Sequence, residues 1–151
     1  MVQDHDLVGS LKKSHEEITK LIGSFRAAVE ASNRKAAKEL LARINDATRS
    51  HFTFEENYLY PRMRRLMFEL IEKLGSGQEA VRGFIKESRD VLGNGRSARD
   101  AFAAISQLLP AVSRYLEDCN DLAALADKFG AAEKGELAKK LKECCKKEVS
   151  R

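Results

Sequence analysis

Apolar residues recur at three- and four-residue steps along most of this chain, which is the pattern of amphipathic helices. Only two of the 151 residues are proline, and Ala, Leu, Glu, Lys and Arg dominate the long segments, so intrinsic propensity also favours helix. The pattern predicts an all-α protein, in which four long helices form an antiparallel up-down bundle and an extra helix follows at the C-terminus. Because 43% of the residues are hydrophobic, residues 1–151 are predicted to form a single domain with its own core.

Residues that cap, kink or end helices divide this pattern into segments. The predicted breaks are Asn33, Pro61, Gly75-Ser76-Gly77, Gly93-Asn94-Gly95, the capping pair Ser97 and Asp100, a bend at Pro110, and Gly130. The stretch 62–74 is predicted to be helical, the glycine-rich segment after it to be a turn, and a third long helix to run over 78–92. Short loops are expected at the other breaks.

The net charge of +4 arises from 27 basic residues spread among 23 acidic ones, without one dense run of basic residues. Local basic clusters occur at Arg62, Arg64 and Arg65, and at Lys139, Lys140, Lys142, Lys146 and Lys147. We interpret them as solvated helix faces, because a basic patch alone is weak evidence for nucleic-acid binding. Neither a nucleic-acid partner nor a membrane partner is predicted.

The N-terminal segment and the cysteines predict a cytoplasmic protein. Residues 1–6 are polar, and no hydrophobic stretch behind them is long enough for a signal peptide or a membrane span. The three cysteines are Cys119, Cys144 and Cys145, an odd number with two adjacent, which is a poor framework for disulfides. Such a set is consistent with a reducing compartment.

Three polar residues interrupt the apolar stripes of the first two helices. His15 fills the gap between Leu11 and Ile18, and His51 and Glu55 lie on the inward side of the second helix. An ionised Glu55 buried without compensation would cost several kcal/mol, on the order of the whole stability of a small domain. His51 and Glu55 are four residues apart and therefore share a helix face, and mixed nitrogen and oxygen ligands suit iron, zinc or manganese. Without a metal, Glu55 could instead pair with a charged histidine and leave a polar remnant in the core.

Two segments carry a resemblance to a known family. Ser14-His15-Glu16-Glu17-Ile18 and His51-Phe52-Thr53-Phe54-Glu55-Glu56-Asn57-Tyr58-Leu59-Tyr60-Pro61 resemble the first half of a hemerythrin-like, or HHE cation-binding, domain. The resemblance implies a four-helix bundle that holds two bridged iron ions, in proteins that bind dioxygen, sense oxygen or nitric oxide, or handle iron. It also implies that His15 and His51 are terminal ligands and Glu55 is a bridging carboxylate.

The second half departs from the pattern that the resemblance implies. The family is a pseudo-repeat, and aligning residues 14–18 with residues 77–81 places Gln78 where a histidine is expected. Counting onward, Tyr115 corresponds to His51 and Cys119 to Glu55, and the two spacings of 36 and 37 residues agree within one. The scaffold repeats but the ligands do not, which argues against a complete two-iron site.

A three-ligand half-site remains, and the residues that complete it are left open. Candidates are water, Tyr115 as phenolate, Cys119 as thiolate, or one of the acids Glu79, Glu117 and Asp118 if the helix register differs. Packing in the core is the alternative explanation for Tyr115 and Cys119. The predicted metal residues are His15, His51, Glu55, Tyr115 and Cys119.

The function predicted from these residues is metal binding. We expect a mononuclear or incomplete iron site, with one or two ions and with zinc or manganese as alternatives, used in sensing, storage or binding of a small ligand such as O2 or NO. The alternative is a metal-free bundle that acts as a regulatory or protein-interaction module. A redox enzyme with an open coordination position is a third hypothesis, and no other enzyme signature is present.

Overall fold

The computed structural model describes residues 6–65, 67–93 and 97–149, which are almost entirely helical. The elements in chain order are α1 (Leu7–Glu30), α2 (Arg34–Phe54), a π-helical turn (Glu55–Leu59), α3 (Tyr60–Met63), α4 (Phe68–Gly93), α5 (Ala98–Ala126) and α6 (Ala131–Val149). No strand occurs in these ranges. The predicted all-α class is therefore confirmed.

Four helices form the bundle. α1 packs against α2 and α5, and α4 packs against α5 and α2, so the four rods close a ring around one core. α6 lies outside this ring against α2 and α1, as the extra C-terminal helix. The hemerythrin-like four-helix architecture with an added helix is confirmed. Within the described ranges, no helix combines the length and the apolar character needed to cross a membrane.

Side-chain caps begin three of the helices. Asp6 accepts a hydrogen bond from the Gly9 amide at 3.0 Å, Asn33 from the Ala36 amide at 3.1 Å, and Ser97 from the Asp100 amide at 3.2 Å. Each bond satisfies an amide that has no partner within the helix. The predicted caps at Asn33 and Ser97 are confirmed. Of the predicted break at Gly93-Asn94-Gly95, Gly93 is the last residue of α4 and the other two residues lie outside the described ranges.

The predicted turn at Gly75-Ser76-Gly77 is wrong, because α4 runs through it without interruption. The break comes earlier, between Met63 and Phe68, so the predicted helix over 62–74 is also divided differently. Ile71, Leu74, Gln78 and Val81 are buried at three- and four-residue steps across the glycines. Packing of this face outweighs the cost of glycine in a helix, which is about 1 kcal/mol per residue.

Pro61 was predicted to kink or restart the second helix, and the structure confirms a change of geometry there. Just before it, the backbone widens into the π-helical turn, and the Tyr60 amide donates to the Glu55 carbonyl five residues back. Proline cannot donate to the preceding turn and its ring collides with it, so the ordinary α-helical ladder cannot continue. Pro61 then occupies the first turn of α3.

Candidate metal centre

Three donor atoms from the first half of the bundle meet in the core. The Nε2 atoms of His15 on α1 and His51 on α2 lie 3.0 Å apart, and His51 Nε2 lies 3.3 Å from Glu55 Oε1 at the start of the π-helical turn. The two imidazole rings meet edge to face, with centroids 4.8 Å apart. His51 and Glu55 are fully buried and His15 is 3% exposed. The structure thus brings together the three residues that the sequence placed on inward stripes.

The second half of the bundle contributes side chains to the same point. Gln78 on α4 donates to Glu55 Oε1 at 3.1 Å, and the Tyr115 hydroxyl on α5 donates to the same oxygen at 2.8 Å. Ligand atoms of His15, Glu55 and Cys119 all lie within 4.8 Å of one another. The residues of α4 and α5 that the pseudo-repeat singled out thus lie around Glu55, although whether Tyr115 and Cys119 bind metal stays a prediction.

Two further side chains belong to the cluster and were not predicted. The Ser14 hydroxyl lies 2.9 Å from His51 Nδ1, and the Tyr60 hydroxyl accepts a hydrogen bond from Gln78 Nε2 at 3.0 Å. A single Gln78 nitrogen therefore contacts both Tyr60 and Glu55. Ser14 stands at the edge of the polar side of α1, so no periodicity marks it as part of the site.

The π-helical turn explains why Tyr60 faces the site. In an ordinary α-helix, a residue five positions after Glu55 would be rotated by about 140° from it around the axis. Because the Tyr60 amide bonds to the Glu55 carbonyl, the wider turn brings Tyr60 to the place that the fourth residue would otherwise take. Tyr60 is buried as a result, with 3% of its surface exposed.

The charges in the cluster are set by burial and by the neighbouring residues. Burial raises the pKa of the Glu55 carboxyl, but the charges of His51 and His15 and the hydrogen bonds from His51 and Tyr115 outweigh it, so this pKa is lowered and Glu55 is ionised. The pKa of His15 is lowered from 6.5 to about 3, mainly by burial and to a smaller extent by the charge of His51. The charge of Glu55 raises this pKa but does not outweigh the other two effects. His15 is therefore neutral near pH 7, and neutral imidazole is the form that binds metals.

The hydroxyl and thiol groups are kept protonated in the absence of a cation. Burial, followed by the charge of Glu55, raises the pKa values of Tyr60, Tyr115 and Cys119. A cation bound beside them would reverse this effect, because its charge favours phenolate and thiolate. Glu55 is therefore surrounded by protonated, neutral hydroxyl and thiol groups of Tyr60, Tyr115 and Cys119.

The donor set fits a metal ion. Donors about 2.1 Å from one ion lie about 3.0–3.4 Å apart in octahedral or tetrahedral shells, which matches the 3.0 and 3.3 Å separations around His51 Nε2. Among the described side chains, Glu55 Oε2 and His15 Nδ1 are buried without a hydrogen-bond partner. An unpartnered oxygen of a buried carboxylate is costly, and a bound cation would satisfy it.

The fold and the donors together define a class: a helical bundle with histidine and carboxylate side chains collected in its core, where they could hold a cation. Comparison with known families agrees with this class, since the hemerythrin HHE cation-binding domain matches residues 6–144. The chain belongs to the hemerythrin HHE cation-binding family. Neither a curated protein nor a solved structure matches it.

Proposed function

We propose that this protein binds one transition-metal ion per chain, with His15, His51 and Glu55 as its ligands. Mixed imidazole and carboxylate ligation suits iron, zinc and manganese. Iron is the first candidate of the three because it is the metal that a hemerythrin domain typically implies. Cys119 completes the site from α5, since its sulfur lies within 4.8 Å of ligand atoms of His15 and Glu55. The observation that carries this proposal is the convergence of two imidazole nitrogens and one carboxylate in a fully buried core, where part of that carboxylate lacks a partner.

A single ion is favoured over two because of the residues on α4 and α5. Gln78 and Tyr115 both donate hydrogen bonds to Glu55 Oε1, so they hold the carboxylate rather than offering charged ligands of their own. A second ion would need another carboxylate or histidine from these helices, and Gln78 is a neutral amide. We therefore expect one ion, with the second half of the bundle positioning Glu55.

The surrounding side chains orient the ligands. Ser14 fixes the ring of His51 through its Nδ1 atom, which leaves Nε2 directed at the site. Gln78 and Tyr115 fix Glu55 Oε1, while Oε2 has no partner among the described residues. When bound, an iron ion would supply a redox-active centre that can take a small ligand such as O2 or NO. Sensing, storage and small-ligand binding in the cytoplasm are the roles that we propose for it.

Elemental analysis of protein purified without chelator tests the proposal. We expect about one metal per chain, and about none after His51→Ala, because that substitution removes a ligand at the centre of the set. Thr48→Ala is a matched control: Thr48 is also buried, lies one turn earlier on α2, and donates to the backbone carbonyls of Ile44 and Asn45 in the described part of the chain. Two metals per chain would contradict the single-ion proposal, and none in the wild-type protein would contradict metal binding altogether.

A metal-free helical module is the second candidate, and one observation favours it. Glu55 Oε1 is already compensated by His51, Gln78 and Tyr115 in the absence of an ion. A bundle with this network can fold without metal and act through its surface as a regulatory partner. The same elemental analysis separates the two candidates, since a metal-free module would hold no ion in either the wild-type protein or the His51→Ala variant.

A further inference from the structure

The donor cluster is closed to solvent in the described part of the chain. His51, Glu55 and Cys119 have no exposed surface, and His15 has 3%. Because an ion must lose its water shell and reach these atoms through packed side chains, its rate of entry depends on which side chains give way. The surface nearest to the cluster therefore matters for function.

A groove of about 360 Å³ opens on the surface of α4, beside α3 and the π-helical turn. Tyr60 and Gln78 line it, although both are almost completely buried, so they form its floor. The same Gln78 nitrogen that bonds to Tyr60 at 3.0 Å also bonds to Glu55 at 3.1 Å. One amide group thus stands between the groove and the carboxylate of the candidate site.

We propose that this groove is the entry site through which a hydrated divalent cation reaches Glu55, with Gln78 as its gate. This inference rests on the proposed metal binding. Rotation of the Gln78 side chain breaks both of its hydrogen bonds together and exposes Glu55 Oε1 to the groove. Tyr60 loses the same partner and is then held only by Glu55 and Tyr115 among the described residues.

The rim of the groove suits a cation. The carboxylates of Glu56, Glu72 and Glu79 line it, and they outnumber the guanidinium groups of Arg64 and Arg82. Arg82 bridges Glu56 and Glu79, so it crosses between the π-helical turn and α4. Glu72 makes no ion pair within the described ranges, which leaves its carboxylate available to an arriving ion.

One wall of the groove is open because it lacks a side chain. Gly75 lines the groove, and a Cβ atom added there would meet no atom within 4 Å. Gly83 lies two turns further along α4, where an added Cβ also meets nothing within 4 Å, and it does not line the groove. The two glycines form a matched pair: a Cβ atom meets no neighbour at either position, but only a side chain at Gly75 would obstruct the proposed route.

Cobalt(II) uptake by chelator-treated protein tests whether ions reach the gate through this groove. Stopped-flow absorbance would give the uptake rate, and transfer to excess chelator would give the release rate. In Gly75→Phe we expect both rates to fall about tenfold with an unchanged dissociation constant, because a steric obstacle on a route slows both directions equally. Gly83→Phe should match the wild-type protein, and the smaller Gly75→Leu should give an intermediate effect, which also covers the case in which Gly75→Phe folds poorly.

The outcomes separate the gate from the proposed function. Wild-type protein that takes up no cobalt would refute metal binding and the gate together. Uptake that is equally fast in the Gly75 and Gly83 variants would refute the gate alone. A changed dissociation constant in Gly75→Phe, with the uptake rate unaffected, would also overturn it, since the substitution would then act on the site itself.

Discussion

Gly77→Ala should destabilise the protein, although the same substitution usually strengthens a helix. A Cβ atom at Gly77 would lie 2.7 Å from Tyr115 Cδ1, and 3.2 and 3.3 Å from the next two Tyr115 atoms. Carbon atoms pack best at about 3.5–4.0 Å, so the Tyr115 ring must move by about 1 Å. It has little freedom, because it is buried, donates to Glu55 at 2.8 Å and meets Phe52 edge to face at 5.5 Å.

The expected magnitude follows from three contributions. Overpacking costs about 1–3 kcal/mol, and weakening the hydrogen bond from Tyr115 to the charged Glu55 costs up to about 1.5–3 kcal/mol more. Replacing a mid-helix glycine by alanine returns about 1 kcal/mol. We therefore expect Gly77→Ala to lower the free energy of unfolding by about 1.5–5 kcal/mol.

Urea denaturation of the chelator-treated protein measures this effect, with Gly75→Ala and Gly83→Ala as controls on the same helix. Added Cβ atoms at these two positions meet nothing within 4 Å, so both controls should gain about 0.5–1 kcal/mol. The three substitutions are chemically identical, and only their surroundings differ. If Gly77→Ala were as stable as the controls, the close approach of α4 to Tyr115 would not be a constraint and the reasoning would fail.

Two further predictions concern the histidines. The pKa of His15 falls from 6.5 to about 3 on folding, so as the pH decreases the unfolded chain takes up this proton before the folded protein does. The metal-free protein should therefore lose about 2 kcal/mol of stability between about pH 7 and pH 5. The lowered pKa of Glu55 adds a further loss of stability below the ordinary carboxyl value of 4.5. Urea unfolding at each pH checks this, and a His15→Gln variant that kept the full slope between about pH 7 and pH 5 would contradict it. Ser14→Ala should weaken metal affinity by about 10–100-fold because His51 loses the partner of its Nδ1 atom. Competition with a chromophoric chelator measures that affinity, and an unchanged value would show that Ser14 does not orient the ring.

Periodicity and residue counting predicted most of what positions the site. The inward stripes predicted that His15, His51 and Glu55 would share the core, since a donor on an apolar face is buried with its neighbours. The two nearly equal spacings of the pseudo-repeat preserved the helical phase, and they therefore predicted that Tyr115 and Cys119 face the same point. That these residues bind a metal, and which metal, stays a prediction.

The features that the sequence failed to predict depend on tertiary contacts. Gly75-Ser76-Gly77 has the composition of a turn, yet burial of the flanking face keeps it helical and the closeness of Tyr115 gives Gly77 its role. Tyr60 escaped detection because a helical period of 3.6 residues assigns it to the wrong side of the helix. Only the wider turn between Glu55 and Pro61 brings it inward.

The widened turn makes the length of its segment matter more than its composition. Asn57 lies exposed within the turn, so other side chains are acceptable at that position. Removing one residue there would restore uniform α-helical geometry and leave Tyr60 facing the site as the fourth residue after Glu55. Inserting one residue would instead rotate everything downstream by about 100°. Tyr60 would leave its partner Gln78, and Met63, now 3% exposed, would turn towards water. Substitutions are therefore tolerated in this segment where single-residue insertions are not.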